Sequence, residues 1–123
     1  MKSTIGLSAL LFGLASPAPA AGWEEAGPVV AQYYNEEMVT VRGWTLVYSG
    51  TQDGVEVYTF EVDGDSHPQT LSLSAAGQMK RALCSEEPLV SWMKAGMKVR
   101  ADRRVHKDGS VKTEKGTSLI SCQ

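Results

Sequence analysis

Residues 82–122 read ALCSEEPLVSWMKAGMKVRADRRVHKDGSVKTEKGTSLISC, and near their two ends stand the chain's two cysteines, Cys84 and Cys122. The first half of the stretch has a helical period. Ser85, Glu86, Glu87 and Pro88 form a helix start, with a capping hydroxyl, acids in the first turn and an early proline. Leu89, Trp92 and Met93 give that helix its apolar face, and Gly96 is placed to end it. The period then changes from helical to alternating. Met97, Val99 and Ala101 oppose Lys98, Arg100 and Asp102, as in a half-buried strand, and Asp108-Gly109 turns the chain into a last strand, Val111 to Ser121, interrupted at Gly116. A helix, a hairpin and a bond from Cys122 back to Cys84 make this an α+β unit.

Upstream, the same logic gives four more elements. Gly27-Pro28 opens a helix whose spacing puts Val30, Tyr33, Tyr34 and Met38 on one face. Trp44 to Tyr48 and Val55 to Val62 are two strands joined through Ser49–Gly54, most simply as a hairpin, and Asp63-Gly64-Asp65 stops the second. A further helix, capped by Ser72 or Ser74, carries Ala75, Met79, Ala82 and Leu83 and ends near Cys84. The expected fold is a single small α+β domain: a largely antiparallel sheet of four to five strands, flanked by two or three helices and closed by one disulfide.

The N-terminus sets the compartment. MKSTIGLSALLFGLASPAPA has a basic start at Lys2, an apolar run from Ile5 to Ala15, and Ala18 and Ala20 in A-x-A spacing. That pattern is a cleavable export signal over residues 1–20, with the cut after Ala20, and its apolar run is too short to span a bilayer. The domain is then residues 21–123, periplasmic or secreted, and soluble. No lipid-acceptor cysteine stands at the cleavage site. Outside the cytoplasm two thiols oxidise, and closing the loop from Cys84 to Cys122 stabilises by about 4 kcal/mol in the chain-entropy picture.

Charge is divided along the chain. From Ala21 to Met79, Glu24, Glu25, Glu36, Glu37, Asp53, Glu56, Glu61, Asp63 and Asp65 face Arg42 alone, whereas ten bases meet five acids from Lys80 onward. Either the two halves neutralise one another or the second presents a basic face to an acidic partner. Nucleic acid is not expected, because export argues against it and no recognition motif accompanies the bases.

Catalytic chemistry is hard to find. His67 lies in a turn-like loop and His106 beside a hairpin tip, and neither is set in a nucleophile–base motif. Two oxidised cysteines and two isolated histidines cannot build a zinc site, and Asp63-Gly64-Asp65 lacks the later ligands of a calcium loop. No glycine-rich phosphate loop occurs. The expectation is a non-enzyme without metal or cofactor. Leu89, Trp92 and Met93 are the candidate partner-binding residues, since a methionine-bearing apolar surface adapts to peptides, although packing of the helix onto the sheet would use the same residues.

With these elements in place, the stretch from Ala82 to Cys122 resembles the disulfide-bearing half of AspS-type pilotins of type II secretion systems. Cys84, Gly96, Gly109 and Cys122 stand where those proteins end a helix, close a short apolar helix, turn a hairpin and place the partner cysteine. The upstream helix and the hairpin GWTLVYSGTQDGVEVYTFEV, residues 43–62, keep the same order of elements. The resemblance implies a five-stranded sheet flanked by helices, with a groove for the C-terminal segment of a secretin subunit. Such pilotins are lipoproteins, and this chain departs from them in lacking the acceptor cysteine. The expected function is therefore a periplasmic binding protein that holds a peptide segment of a secretin or other envelope component. The alternative is a secreted inhibitor or immunity protein that blocks an enzyme or toxin through the basic hairpin, Lys98 to Lys112.

Overall fold

A computed structural model describes residues 19–38 and 41–122, without the side chains of residues 19–22 and 24. Residues 1–18 of the expected signal segment lie outside that set, whereas its last two residues and the cleavage expected after Ala20 fall on the first turn of the first helix. The elements run α1 (Pro19–Glu37), β1 (Trp44–Gln52), β2 (Val55–Asp63), a 3₁₀ turn (Pro68–Ser72), α2 (Ala75–Ser85), α3 (Glu87–Lys94), β3 (Val99–Lys107) and β4 (Ser110–Glu114). One sheet has the order β1-β2-β3-β4. The outer pairs are antiparallel hairpins, whereas β2 and β3 are parallel, because α2 and α3 lie in the connection between them. This is the expected small, mostly antiparallel α+β domain, with four strands among the described residues rather than the five the pilotin resemblance implied.

Both hairpins turn on two residues. Asp53-Gly54 has φ of 52° and 79°, and Asp108-Gly109 has 54° and 77°. Positive φ at both central positions is the primed turn, whose twist matches that of the strands it joins. The loop expected over Ser49–Gly54 is thus mostly strand. Its extra residue is absorbed by a bulge between Tyr48 and Gly50, where the register shifts and Gly50 takes φ 103°.

Alternation along the strands gives the sheet two unlike faces. Trp44, Leu46, Tyr58, Phe60, Val62, Val99, Ala101 and Val105 join one apolar core with Ala26, Val30 and Tyr34 of α1, Met79, Ala82 and Leu83 of α2, and Leu89 and Trp92 of α3. Phe60 is its hub: the Tyr34 ring meets it edge-on at 5.5 Å and the Trp44 ring at 5.2 Å. The other face is polar. There Glu61 accepts from Arg104 at 3.2 Å and pairs with His106 at 2.7 Å, Asp102 holds Arg100 at 2.9 Å, and Ser49 and Thr59 share a hydrogen bond of 2.8 Å.

Helix ends show where local signals misled. α1 starts before Gly27-Pro28, and Pro28 lies inside it, exposed. Gly27 serves packing instead: the Tyr48 ring lies where its Cβ would be. Ser85 ends α2 rather than capping α3; its hydroxyl donates to the Ala82 carbonyl, and Glu86 takes the N-cap position without a side-chain cap. Ser74, by contrast, does cap α2, accepting from the Gly77 N–H at 2.9 Å. Regular pairing of the last strand stops at Glu114, short of the expected Ser121. Beyond it Gly116 presses on the Ala101 carbonyl, donates its N–H to Asp102 Oδ1 at 2.7 Å, and the Ile120 N–H donates to the Val99 carbonyl at 2.8 Å.

Candidate functional site

The end of α3 is a six-residue lock. Gly96, at φ 115°, donates its N–H to the Met93 carbonyl at 3.2 Å, and Met97 donates to the Trp92 carbonyl at 3.0 Å. This is the Schellman arrangement, which glycine makes accessible and which turns Met97 back against the helix it follows. Met97 is buried, and the chain enters β3 directly behind it. Opposite, the Cys84–Cys122 disulfide, with a Cα separation of 5.5 Å, ties the C-terminal segment to the end of α2.

Between these two anchors lies an open cleft of about 340 Å³. Val90 and Met93 line it from α3, Met97 from the turn, Ile120 from the C-terminal segment, and the disulfide itself forms part of the wall. Lys94 is the one charged residue among the described lining residues. Val90 and Met93 are half-buried, so their side chains present apolar surface that a partner can cover. Methionine thioethers adapt to irregular apolar shapes, which suits a cleft of this kind to a peptide side chain.

The three residues singled out from sequence part company here. Leu89 is fully buried and Trp92 is 9 % exposed, both within the core, so they anchor α3 in the buried cluster beside α2 instead of lining an open groove. Met93, one step round the helix, is the one that reaches the cleft. Val90 and Ile120 were missed. Val90 differs from Leu89 only by facing the other side of a short helix, and Ile120 is brought in by a disulfide from the far end of the chain.

A second polar site lies at the far corner of the first hairpin. Glu56 is 1 % exposed, yet its carboxylate is fully engaged. Tyr48 donates its hydroxyl to Oε1 at 2.6 Å, and the Thr51 hydroxyl is 3.1 Å from both oxygens. Tyr58 lies beside them, its ring 5.1 Å from that of Tyr48. Burial, and then the neighbouring Tyr48 and Glu56, push the Tyr58 hydroxyl far above the usual phenol range. The cluster satisfies a buried acid, as buried charge requires.

The remaining chemistry-bearing residues are occupied with structure. Asp63 accepts from the Ser66 N–H at 3.0 Å, and Asp65 accepts from the Asp108 N–H at 2.9 Å, so Asp63-Gly64-Asp65 fastens its loop to the second hairpin. The Ser66 hydrogen bond holds the Asp63 carboxyl below the usual range. His67 packs on Gly43, and His106 is taken by Glu61. Of the basic hairpin, Arg103 bridges Glu114 and the carbonyls of Leu71 and Leu73, so that with Arg100, Arg104 and His106 it already has partners. Among the described residues no three of His, Cys, Asp and Glu converge as a metal site needs, and no helix is long and apolar enough to cross a membrane.

No protein-family model matches the sequence. Among solved structures the chain is similar to a protein of Pseudomonas aeruginosa presumed to be secreted, with a TM-score of 0.42 and 13 % identity over 88 % of this chain and 99 % of the other. A likeness at that level bears on neither function nor partner.

Proposed function

We propose that this protein is a non-enzymatic periplasmic binding protein that holds an apolar peptide segment of an envelope or secretion component in the cleft beside its disulfide. The observation that carries the reading is the lining of that cleft: Val90 and Met93 half-exposed, Met97 and Ile120 beneath, and a single charge at Lys94. The disulfide supports an oxidising compartment. The order of elements also favours the AspS-type pilotin resemblance, with a secretin or related subunit as the partner class. The inhibitor or immunity reading draws less support, because Arg100, Arg103, Arg104 and His106 are engaged within the molecule.

The test is capture from detergent-solubilised envelope at low and moderate salt, with wild-type protein and Met93→Lys side by side. An envelope assembly subunit retained at moderate salt by the wild type and lost by Met93→Lys, with thermal unfolding unchanged, supports the cleft. A soluble hydrolase or toxin released by salt, and indifferent to Met93→Lys, replaces this reading with the inhibitor, since exposed charge contacts are screened and apolar ones are not.

A further inference from the structure

The C-terminal segment, residues 115–122, stands apart from the rest of the domain in how it is held. The four strands, the three helices and every residue of the buried cluster but Ile120 come from outside it. Residues 117–119 are exposed, and Ile120 is the one side chain of the segment in the buried cluster. Gly116 and Ile120 each donate one N–H toward β3, Ser121 is engaged as well, and Cys122, itself exposed, is bonded to Cys84. Yet this segment supplies one wall of the cleft, Ile120, Ser121 and Cys122, while α3, its turn and Cys84 of α2 supply the rest.

We infer that the Cys84–Cys122 bond is a gate on the cleft: it pins the C-terminal segment as a removable wall, and reduction by a dithiol of the thiol–disulfide oxidoreductase class dismantles the site while the domain stays folded. The chemistry balances as ordinary exchange. A dithiol thiolate attacks Cys122 Sγ, the Sγ–Sγ bond breaks, and Cys84 departs as a thiolate that takes up a proton. The second thiolate of the dithiol then attacks the mixed disulfide, releases Cys122 as a thiol and leaves the reductant as a disulfide, two electrons having passed. Cys122 is an exposed residue and both cysteines line the open cleft, the side from which a thiolate would approach the bond. The consequence for a peptide ligand rests on the binding reading above, whereas the release of the wall does not.

The test compares residues 21–123 in the oxidised form, after dithiothreitol, and as Cys84→Ser/Cys122→Ser, with amide exchange followed residue by residue. Exchange at the Ile120 amide should speed up by a factor of about 100 or more in both forms that lack the disulfide, while Phe60 in β2 stays protected and the far-UV circular dichroism is unchanged. Carboxypeptidase should likewise trim the reduced chain back toward Lys115 and leave the oxidised chain alone. An Ile120 amide equally protected in both states overturns the inference. So does joint loss of protection at Ile120 and Phe60 with collapse of the dichroism, which would make the bond a staple of the fold. No ligand enters these readouts, so their failure leaves the binding reading standing, and failure of Met93→Lys to lose its partner leaves the gate standing.

Discussion

Asn35→Ala isolates a contact that carries more than its exposed position suggests. Asn35 projects from α1 to the outer edge of β1, where its Oδ1 accepts from the Leu46 N–H at 2.8 Å and its Nδ2 donates to the Leu46 carbonyl at 2.9 Å. The side-chain amide thus does for Leu46 what a neighbouring strand would do, and together with the Trp44 N–H bond to the Val41 carbonyl it closes the start of an edge strand. Removing it leaves one donor and one acceptor of the Leu46 peptide to whatever water reaches the seam with α1. At about 1 kcal/mol net for each hydrogen bond, the loss is about 2 kcal/mol, or about 10 °C in Tm for a domain of this size. Urea unfolding should show the midpoint fall at constant m, and the Leu46 amide should exchange faster than its neighbours in β2. Asn35→Asp keeps the acceptor but turns an oxygen toward the Leu46 carbonyl, so it should not rescue. A Tm for Asn35→Ala within about 2 °C of wild type, or an unchanged Leu46 exchange rate, would refute the reasoning.

Three further outcomes are expected. Trp92→Ala should cost about 3–5 kcal/mol in urea unfolding, because it empties a core position; a variant with unchanged stability and lost partner capture would restore Trp92 to the binding surface. In alkaline titration followed by phenolate absorbance near 295 nm, Tyr58 should not ionise with the other tyrosines but only as the domain unfolds. Its raised folded value means that stability is intact below the unfolded phenol range and falls as pH rises through it, and Tyr58→Phe should flatten that fall. The Asp63 carboxyl is shifted the other way, so its contribution is present above the ordinary carboxylate range and declines as pH drops toward its lowered folded value. Thermal unfolding of Asp63→Asn across acid pH should lack that part of the slope.

Much of the architecture was legible because it is local. Asp53-Gly54 and Asp108-Gly109 announce their hairpins by composition, since few other residues accept positive φ at both turn positions, and Gly96 announces the end of α3 for the same reason. Gly27-Pro28 is the instructive failure. The pair reads as a helix start, yet Gly27 is small because the Tyr48 ring presses on it, a fact that resides twenty-one residues downstream. Ser85 misled similarly: its hydroxyl donates to the Ala82 carbonyl of its own helix, and the next helix takes Glu86 as its N-cap. The cleft was half visible. Met93 stood out by type, whereas Leu89, Val90 and Trp92 are indistinguishable until the rotation of α3 against the core is known, and Ile120 enters only through the disulfide. The Glu56 cluster could not be read at all, since a glutamate within a strand of β-branched and aromatic residues looks like an outward-facing position.

The parallel joint between β2 and β3 has a consequence for how the chain reaches this state. Each outer hairpin closes across two residues, but the central pairing brings together residues 43 apart, as at Glu61 and Arg104. Loop closure over that distance must be met before any ladder bond or core contact compensates it. The two hairpins and the α2–α3 pair are therefore the early, fast-forming pieces, and the seam between β2 and β3 is the slow step that joins them. Until it zips, both central strands expose unpaired edges, so the interval before that joining is when a newly made chain is most open to pairing with another copy of itself.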